Sequence, residues 1–170
     1  MPEALTVSRR VRDRFPEAVL TTHQFRGDDT VVVRREAVKE VARFLRDDPA
    51  MAFNVLMDLT AVDYLRYPER QDPPGPTTRF EVVYHLYSLE HGHRVRVKVP
   101  VGEGDPMVES LTDLWPAADW FEREVWDMFG IQFLGHPNLK RLLMYEEFQG
   151  HPLRKDYPVN KRQPLIGPVN

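Results

Sequence analysis

The sequence predicts an α+β fold with a mostly antiparallel β-sheet, flanking helices and an extended C-terminal tail. Residues 93–101 (HRVRVKVPV) alternate strictly, so that the valines share one face of a strand. Residues 35–46 (REAVKEVARFLR) instead repeat apolar side chains at helical spacing. The predicted order of elements, α-β-β-α-β-β-β-α-α, lacks the regular βαβ alternation of a parallel sheet and favours the α+β class.

The N-terminal elements follow from apolar spacing and turn residues. Residues 4–15 predict a short amphipathic helix that ends before Pro16. Residues 18–26 predict a strand, which a turn at residues 27–29 joins to a second strand over residues 30–34. We therefore expect a hairpin to follow the first helix.

The middle of the chain contains the clearest helix, the remaining strands and one long loop. The helix at 35–46 stops at Asp47-Asp48-Pro49, and residues 67–76 contain four prolines, which predicts an irregular surface loop. Strands are predicted at 53–62, 79–89 and 93–101, with a hairpin turn at 90–92.

The last periodic segments precede residue 130. Residues 108–115 predict a short helix, and Asp119 and Glu122 have the spacing of a capping box that opens a helix ending near Phe129. Gly130 is a suitable residue to stop it. No long periodic segment follows, which predicts an α+β domain at 1–134 and a tail at 135–170 that is either disordered or laid along another surface.

Composition excludes several classes of function. The 170 residues include no cysteine, which removes disulfides, thiolate nucleophiles and cysteine-ligated iron–sulfur clusters. No run of eighteen apolar residues is present, and the start has no signal-peptide core, so we expect membrane association only through partners. The net charge of −3 divides into −6 for residues 1–134 and +3 for the tail, an acidic body with a basic extension.

The segment from 120 to 130 concentrates charge on one helical face. Phe121, Val125, Met128 and Phe129 fall on one side of a helical wheel. Arg123, Glu124 and Asp127 fall opposite, with Arg123 and Asp127 at i,i+4 spacing. The charged face is either simply solvated or part of an interface. Trp120 and Trp126 beside these charges favour an interface, because large aromatic side chains are enriched there.

The tail contains two copies of a short Gly-His-Pro motif. It occurs at 135–137 and again at 150–152, and each copy is followed by two basic residues, at 140–141 and at 154–155. The proline pushes the preceding histidine towards extended backbone conformations. Prolines also lower the entropy cost of fixing a chain on a partner. The tail therefore has the features of a restricted, cationic docking segment.

These motifs resemble the 30 kDa subunit family of respiratory complex I, the NADH–quinone oxidoreductase, whose members carry the designation C. The family pattern has three parts. The chain matches them with EREVWDMFGIQF from Glu122, GHPNLKRLL from Gly135 and GHPLRKDYP from Gly150. Lys140 stands where the pattern also allows arginine. The three parts cover about a quarter of the chain, and their order and spacing are specific.

The resemblance implies a non-catalytic, cofactor-free subunit in the peripheral arm of a proton-translocating complex. FMN and iron–sulfur clusters would belong to other subunits. The chain would dock beside the quinone-site subunit (D), which forms much of the quinone cavity, and the iron–sulfur subunit (B), with other peripheral-arm subunits nearby. The complex would lie at the cytoplasmic face of the bacterial plasma membrane. The alternative is the equivalent subunit of a ferredoxin- or F420-linked quinone or methanophenazine reductase, or of a membrane hydrogenase.

The matched motif residues are the candidates for partner binding. Their carboxylates and guanidinium groups can form charge networks that set register where two subunits meet. The candidates are Glu122, Arg123, Glu124, Asp127, Gly130, His136, Arg141, Gly150, His151, Pro152, Leu153, Arg154, Lys155, Asp156 and Tyr157.

Three other functions are less consistent with the sequence. Independent catalysis lacks a nucleophile elbow, a Walker motif or a dinucleotide fingerprint. A metal site would have to use His91 and His93, or His136 and His151, without the spacing of a known ligand set. Binding of nucleic acid or anionic lipid would require more positive charge than the tail carries.

Overall fold

A five-stranded mixed sheet, with three helices packed against one of its faces, forms the body of the protein. The computed structural model describes residues 6–65, 67 and 78–164. The elements are α1 (Val7–Arg14), β1 (Val19–Phe25), β2 (Asp28–Val33), a 3₁₀ turn (Arg35–Ala37), α2 (Val38–Asp47), β3 (Val55–Asp63), β4 (Phe80–Tyr87), β5 (Arg94–Val101), β6 (Met107–Glu109), α3 (Ala118–Phe129) and β7 (Gln132–Leu134).

The predicted α+β class and mostly antiparallel sheet are confirmed. The strand order is β1-β2-β5-β4-β3, and only β2 and β5 run parallel within this sheet. The hairpin turn lies at Arg26 and Gly27, whose φ angles are 53° and 89°. Positive φ at both central residues matches a type I′ turn, so β2 begins at Asp28, earlier than predicted.

The hydrophobic core lies between the helices and one sheet face. The valines at 95, 97, 99 and 101 on β5 are all buried, as the alternation predicts. Val38, Val41 and Leu45 on α2 pack into the same core, and Trp115 donates its indole Nε1–H to the carbonyl of Phe53 at 3.2 Å. The helix predicted at 35–46 is therefore confirmed with its buried face, although its first three residues form the 3₁₀ turn and α2 begins at Val38.

Two local predictions before α3 are wrong. No helix forms at 108–115: its first two residues belong to strand β6, which pairs in parallel with β7 across α3, and residues 112–114 form a turn. The expected capping box is also absent, because α3 begins at Ala118 with no side-chain cap. Glu122 instead accepts a hydrogen bond from the backbone N–H of Leu111 at 2.7 Å. Tertiary contacts override the local pattern in both places.

Some predicted segments lie partly outside the described residues. Most of the proline-rich loop at 67–76, the first residues of the helix predicted at 4–15 and the last six residues of the tail belong to this group. Gly130 is confirmed as the stop of α3, with a φ of 74°. Within the described residues, no helix is both long and apolar enough to cross a membrane.

Replacing Leu45 with alanine tests where the core lies. Leu45 is fully buried on α2, whereas Leu89 is 68% exposed in the turn between β4 and β5. We expect Leu45→Ala to lower the free energy of unfolding by about 2–5 kcal/mol, through lost burial and the cavity it leaves. Leu89→Ala should change it by less than about 0.5 kcal/mol. Chemical denaturation of the two variants measures both values, and equal effects would contradict this core assignment.

Candidate functional site: the C-terminal tail on the third helix

The buried carboxylate of Asp127 binds the first part of the C-terminal tail. Its Oδ2 accepts hydrogen bonds from the backbone N–H groups of Leu142, Leu143 and Met144 at 3.1, 2.9 and 2.9 Å. Its Oδ1 lies 2.5 Å from Nη1 of Arg141. Asp127 stands in the last turn of α3 and is fully buried, so one side chain fixes four consecutive tail residues.

These hydrogen bonds decide the charge of Asp127. Burial alone would raise the pKa of this carboxyl, but the Met144 N–H, Arg141, and the Leu143 and Leu142 N–H groups together hold it below its ordinary value. Asp127 is therefore an anion at neutral pH. Its stabilising contribution is lost only as the pH falls through the lowered pKa.

Arg141 connects α3 to the second half of the tail. Its Nη2 donates to the carbonyl of Phe148 at 2.8 Å and to that of Gly150 at 3.2 Å. The guanidinium also lies over the rings of Trp126 and Phe148, at 5.6 and 5.7 Å from their centroids. The group thus neutralises Asp127 and closes the loop between residues 141 and 150.

Arg123 also binds the tail. The ion pair with Asp127 that its i,i+4 spacing suggests does not form, because Asp127 pairs with Arg141. Arg123 donates from Nε to the carbonyl of Lys140 at 3.1 Å and from Nη2 to that of Arg141 at 3.2 Å. Its guanidinium lies 5.2 Å from the ring centroid of Trp120, which is 59% exposed. Glu124 remains exposed on the same helix.

The two histidines of the repeated motif bind the two ends of α3. Nε2 of His136 lies 3.2 Å from the carbonyl oxygen of Asp119 and 3.1 Å from its Oδ1. The Asn138 N–H donates to Nδ1 of His136, which leaves Nε2 as the donor. His151 donates from Nδ1 to the carbonyl of Asp127 at 3.0 Å. Burial, followed by nearby arginines, lowers the pKa of His151, so it is neutral at physiological pH.

Gly130 allows the second motif to approach the helix end. A Cβ atom at this position would lie 2.5 Å from Nε2 of His151 and 2.7 Å from Nη2 of Arg154. Arg154 donates from Nε to the carbonyl of Phe129 at 2.5 Å, and the Leu153 N–H donates to the carbonyl of Met128 at 3.1 Å. The left-handed glycine therefore terminates α3 and admits the tail to its free carbonyl groups.

The last part of the motif binds the end of the main sheet. The Lys155 N–H donates to Oδ2 of Asp63 at 2.8 Å, and Asp156 forms an ion pair with Arg79, whose Nη2 lies 2.7 Å from its Oδ1. Arg79 also pairs with Asp63 at 3.0 Å. Gly150, with a φ of 98°, brings Tyr157 close to the tail backbone. The tail is thus bound to its own domain at several points between His136 and Asp156.

Glu122 takes no part in this network. It is fully buried, and its Oε2 forms no hydrogen bond within the described residues. Burial raises its pKa to about 7, although the Leu111 N–H and the Ser110 side chain act in the opposite direction. With this raised pKa the carboxyl is neutral at mildly acidic pH and about half protonated at pH 7, which lowers the cost of burying it without a cation.

The structure separates the candidate residues into buried and exposed groups. Glu122 and Asp127 are buried within the chain, so they can affect a partner only through the segments they hold. Sequence reasoning missed Asp63 and Arg79, which bind the tail from the sheet. Among the tail candidates, Leu153 is 50% exposed, and Lys155 and Asp156 are also exposed. Pro152 is half-buried beside His151.

A known family and several relatives match this chain. The family model "Respiratory-chain NADH dehydrogenase, 30 Kd subunit" matches residues 31–163. The chain is 51% identical over 158 residues to the C-designated NADH-quinone oxidoreductase subunit of Roseiflexus sp. (strain RS-1), covering 93% of this chain and 86% of that protein. It is 49% identical over 160 residues to the same subunit of Citrifermentans bemidjiense, covering 93% and 92%.

Two solved structures are similar to this fold. A trypsin-resistant fragment (1-134) of Nqo5 is 39% identical with a TM-score of 0.65, over 76% of this chain and 94% of that one. A chain of the membrane-bound sulfane sulfur reductase, an archaeal respiratory membrane complex, is 23% identical with a TM-score of 0.69, over 89% and 84%. The second likeness concerns the fold alone.

Neutralising Asp127 tests whether it holds the tail. Asp127→Asn removes the charge that pairs with Arg141 while nearly conserving size. We expect the free energy of unfolding to fall by about 3 kcal/mol, and trypsin to cleave sooner after Arg141, because the partly buried guanidinium loses its counter-ion. Glu124→Gln, at an exposed position of the same helix, is the matched control. Equal stability and equal cleavage in both variants would refute the role given to Asp127.

The pH dependence of stability tests the protonation of Glu122. Its pKa is about 7 in the folded chain, against an ordinary value of 4.5. The folded state therefore binds the extra proton between these values. Its contribution is complete below the lower pKa and is lost as the pH rises through the upper one. We expect the stability difference between the wild type and Glu122→Gln to fall by up to about 3 kcal/mol between about pH 5 and pH 8. A constant difference would show that Glu122 is ionised throughout.

Proposed function

Because this chain belongs to the family of the respiratory-chain NADH dehydrogenase 30 Kd subunit, we propose that it works as that subunit in an NADH–quinone oxidoreductase. In this proposal it carries no redox group itself, and FMN and the iron–sulfur clusters belong to other subunits. The observation that carries the proposal is the match over residues 31–163, which includes α2, strands β3 to β7, α3 and nearly all of the described tail.

The proposed task is to dock beside the quinone-site subunit and the iron–sulfur subunit, and so to support assembly of the electron path from NADH to quinone. The fixed tail supports this role. Asp127, Arg141 and Arg154 give the segment internal hydrogen bonds, so little conformational entropy remains to be lost when a partner binds. A preorganised segment can present a defined surface without a core of its own.

The exposed apolar side chains of the tail are the proposed contacts. Leu143 is 57% exposed, Leu153 is 50% exposed and Val159 is fully exposed. Leu143 and Leu153 lie on backbone that is itself bound to the domain, through their own N–H groups. Apolar side chains held outward on a fixed backbone suit burial against another protein.

The chain would occupy the peripheral arm at the cytoplasmic face of the plasma membrane and reach the membrane only through the complex. Electron transfer and proton translocation would be activities of the whole assembly. The isolated chain should oxidise no NADH. Relatives that are about 50% identical are named as NADH-quinone oxidoreductase subunits, which favours NADH as the electron donor of the complex over ferredoxin or F420.

Affinity isolation tests the proposed partners. A tag on the full chain, used with mild detergent on native membranes, should recover the quinone-site and iron–sulfur subunits together with NADH–quinone reductase activity. The purified chain alone should show neither NADH oxidation nor a visible chromophore. Recovery of the chain without these subunits would overturn the proposal.

Leu153→Asp tests the tail surface within that experiment. A buried unpaired carboxylate at an interface is strongly unfavourable, so we expect the yield of assembled complex to fall by at least about tenfold. The unfolding free energy of the isolated chain should change little, because the native side chain is half exposed. Leu89→Asp makes the same substitution at an exposed leucine away from the tail and should assemble normally. Normal assembly of Leu153→Asp would remove this part of the tail from the interface.

A further inference from the structure

One face of the main sheet has no covering layer in the described part of the chain. The three helices pack their buried side chains with the β5 valines, on the other face. The open face carries the alternate β5 residues Arg94, Arg96 and Lys98, which are exposed or half-buried. In a two-layer protein such a face contacts either solvent or another molecule.

A polar row crosses this open face through neighbouring strands. His23 on β1 is opposite Thr30 on β2, and Thr30 is opposite Arg96 on β5. Arg96 is in turn opposite His85 on β4, which is opposite Asp58 on β3. Directly opposed residues have side chains on the same face. Arg96 therefore lies at the middle of the row.

Within the described part of the chain, the two arginines on this face have no carboxylate partner. Arg96 donates from Nη1 to the hydroxyl of Thr30 at 3.3 Å, and the Arg94 guanidinium lies 5.7 Å from the ring centroid of Tyr87. Among residues 6–65, 67 and 78–164, no carboxylate oxygen lies within 4.0 Å of either guanidinium. Lys98 differs, because Glu81 accepts from its Nζ at 2.7 Å.

The basic side chains of β5 contribute to lowered pKa values of two nearby histidines. Burial and then Arg96 lower the pKa of His85, against the opposing effects of Asp58 and Asp28. Burial and then Lys98 and Arg96 lower the pKa of His23, against Glu81. The basic side chains of β5 therefore act on both neighbouring rings.

A groove beside the arginines gives this face a shape that a partner can fill. It has a volume of about 410 Å³ and is lined by Arg94, Arg96, His85 and the 54% exposed Met57. Asp28 and Asp58 also line it. Acids beside the cations would repel a carboxylate placed away from the arginines, and so would restrict where an acidic ligand binds.

We infer that this open sheet face is a second docking surface, separate from the tail, for an acidic segment of another protein in the assembly. Arg94 and Arg96 stand two residues apart on one strand, so their side chains emerge roughly 7 Å apart. The segment would present two carboxylates at that separation, one to each guanidinium, and an apolar side chain to Met57. This inference rests on the proposed function, because it requires that the chain work within an assembly.

Photocrosslinking in the intact complex tests this surface. A photoreactive amino acid replaces Met57 in the tagged full chain, and the crosslinked peptide is identified after the complex is purified. We expect a peptide of another subunit, with at least two acidic residues within four positions. The same amino acid at exposed Leu89 is the control. No crosslink from position 57, or one to a peptide without acids, overturns the inference.

Charge reversal distinguishes this surface from the tail. Arg94→Glu/Arg96→Glu should reduce the crosslink at position 57 by at least about tenfold, because attraction becomes repulsion. Arg9→Glu/Arg14→Glu makes the same charge change on exposed α1 residues and should preserve it. If only the proposed tail interface is wrong, Leu153→Asp chains will still assemble, and the crosslink from position 57 will persist in those complexes.

The alternative ligand for this sheet face is an anionic lipid membrane. Flotation of the isolated full chain with vesicles of equal parts phosphatidylglycerol and phosphatidylcholine tests it. We expect no binding. Binding that the Arg94→Glu/Arg96→Glu variant abolishes would assign this face to lipid and overturn the protein partner.

Discussion

The hydrogen bonds that the Asp127 carboxylate accepts are the constraint on which the C-terminal tail depends. A fully buried anion is costly unless it is satisfied, and Asp127 meets that condition with one guanidinium and three backbone N–H groups. All four donors come from the tail. Helix α3 therefore buries this carboxylate only with the tail in place, and Arg123 and His136 add further contacts to the first half of the tail.

The same logic extends to the end of α3 and the edge of the sheet. The carbonyl groups of Met128 and Phe129, which the helix leaves free, accept from Leu153 and Arg154. Asp63 and Arg79 then hold the residues that follow. The residues of the family motif thus hold an extended segment against one helix and the end of the sheet, and they leave the outward side chains of that segment exposed.

The sequence revealed the elements whose pattern is local and missed those set by distant contacts. The helix at 35–46 and strand β5 were predictable because the spacing of their apolar residues indicates both the type of element and its buried face. Strand β6 was not predictable, because three residues are too few to show a repeat and their partner strand lies beyond α3. The spacing of Asp119 and Glu122 matched a capping box, yet the Glu122 carboxylate accepts a hydrogen bond from the distant Leu111 N–H instead. The spacing of Asp127 and Arg141 within the motif was visible, but it did not reveal that the two are partners.

Hydrogen exchange of the tail amides measures the central interaction most directly. We predict that the N–H groups of Leu142, Leu143 and Met144 are protected in the full chain, since Asp127 accepts all three. In Asp127→Asn their protection should fall sharply while that of Val97 in β5 stays high. Unprotected tail amides in the wild type, or protection unchanged by the substitution, would contradict the claim that this buried carboxylate holds the tail.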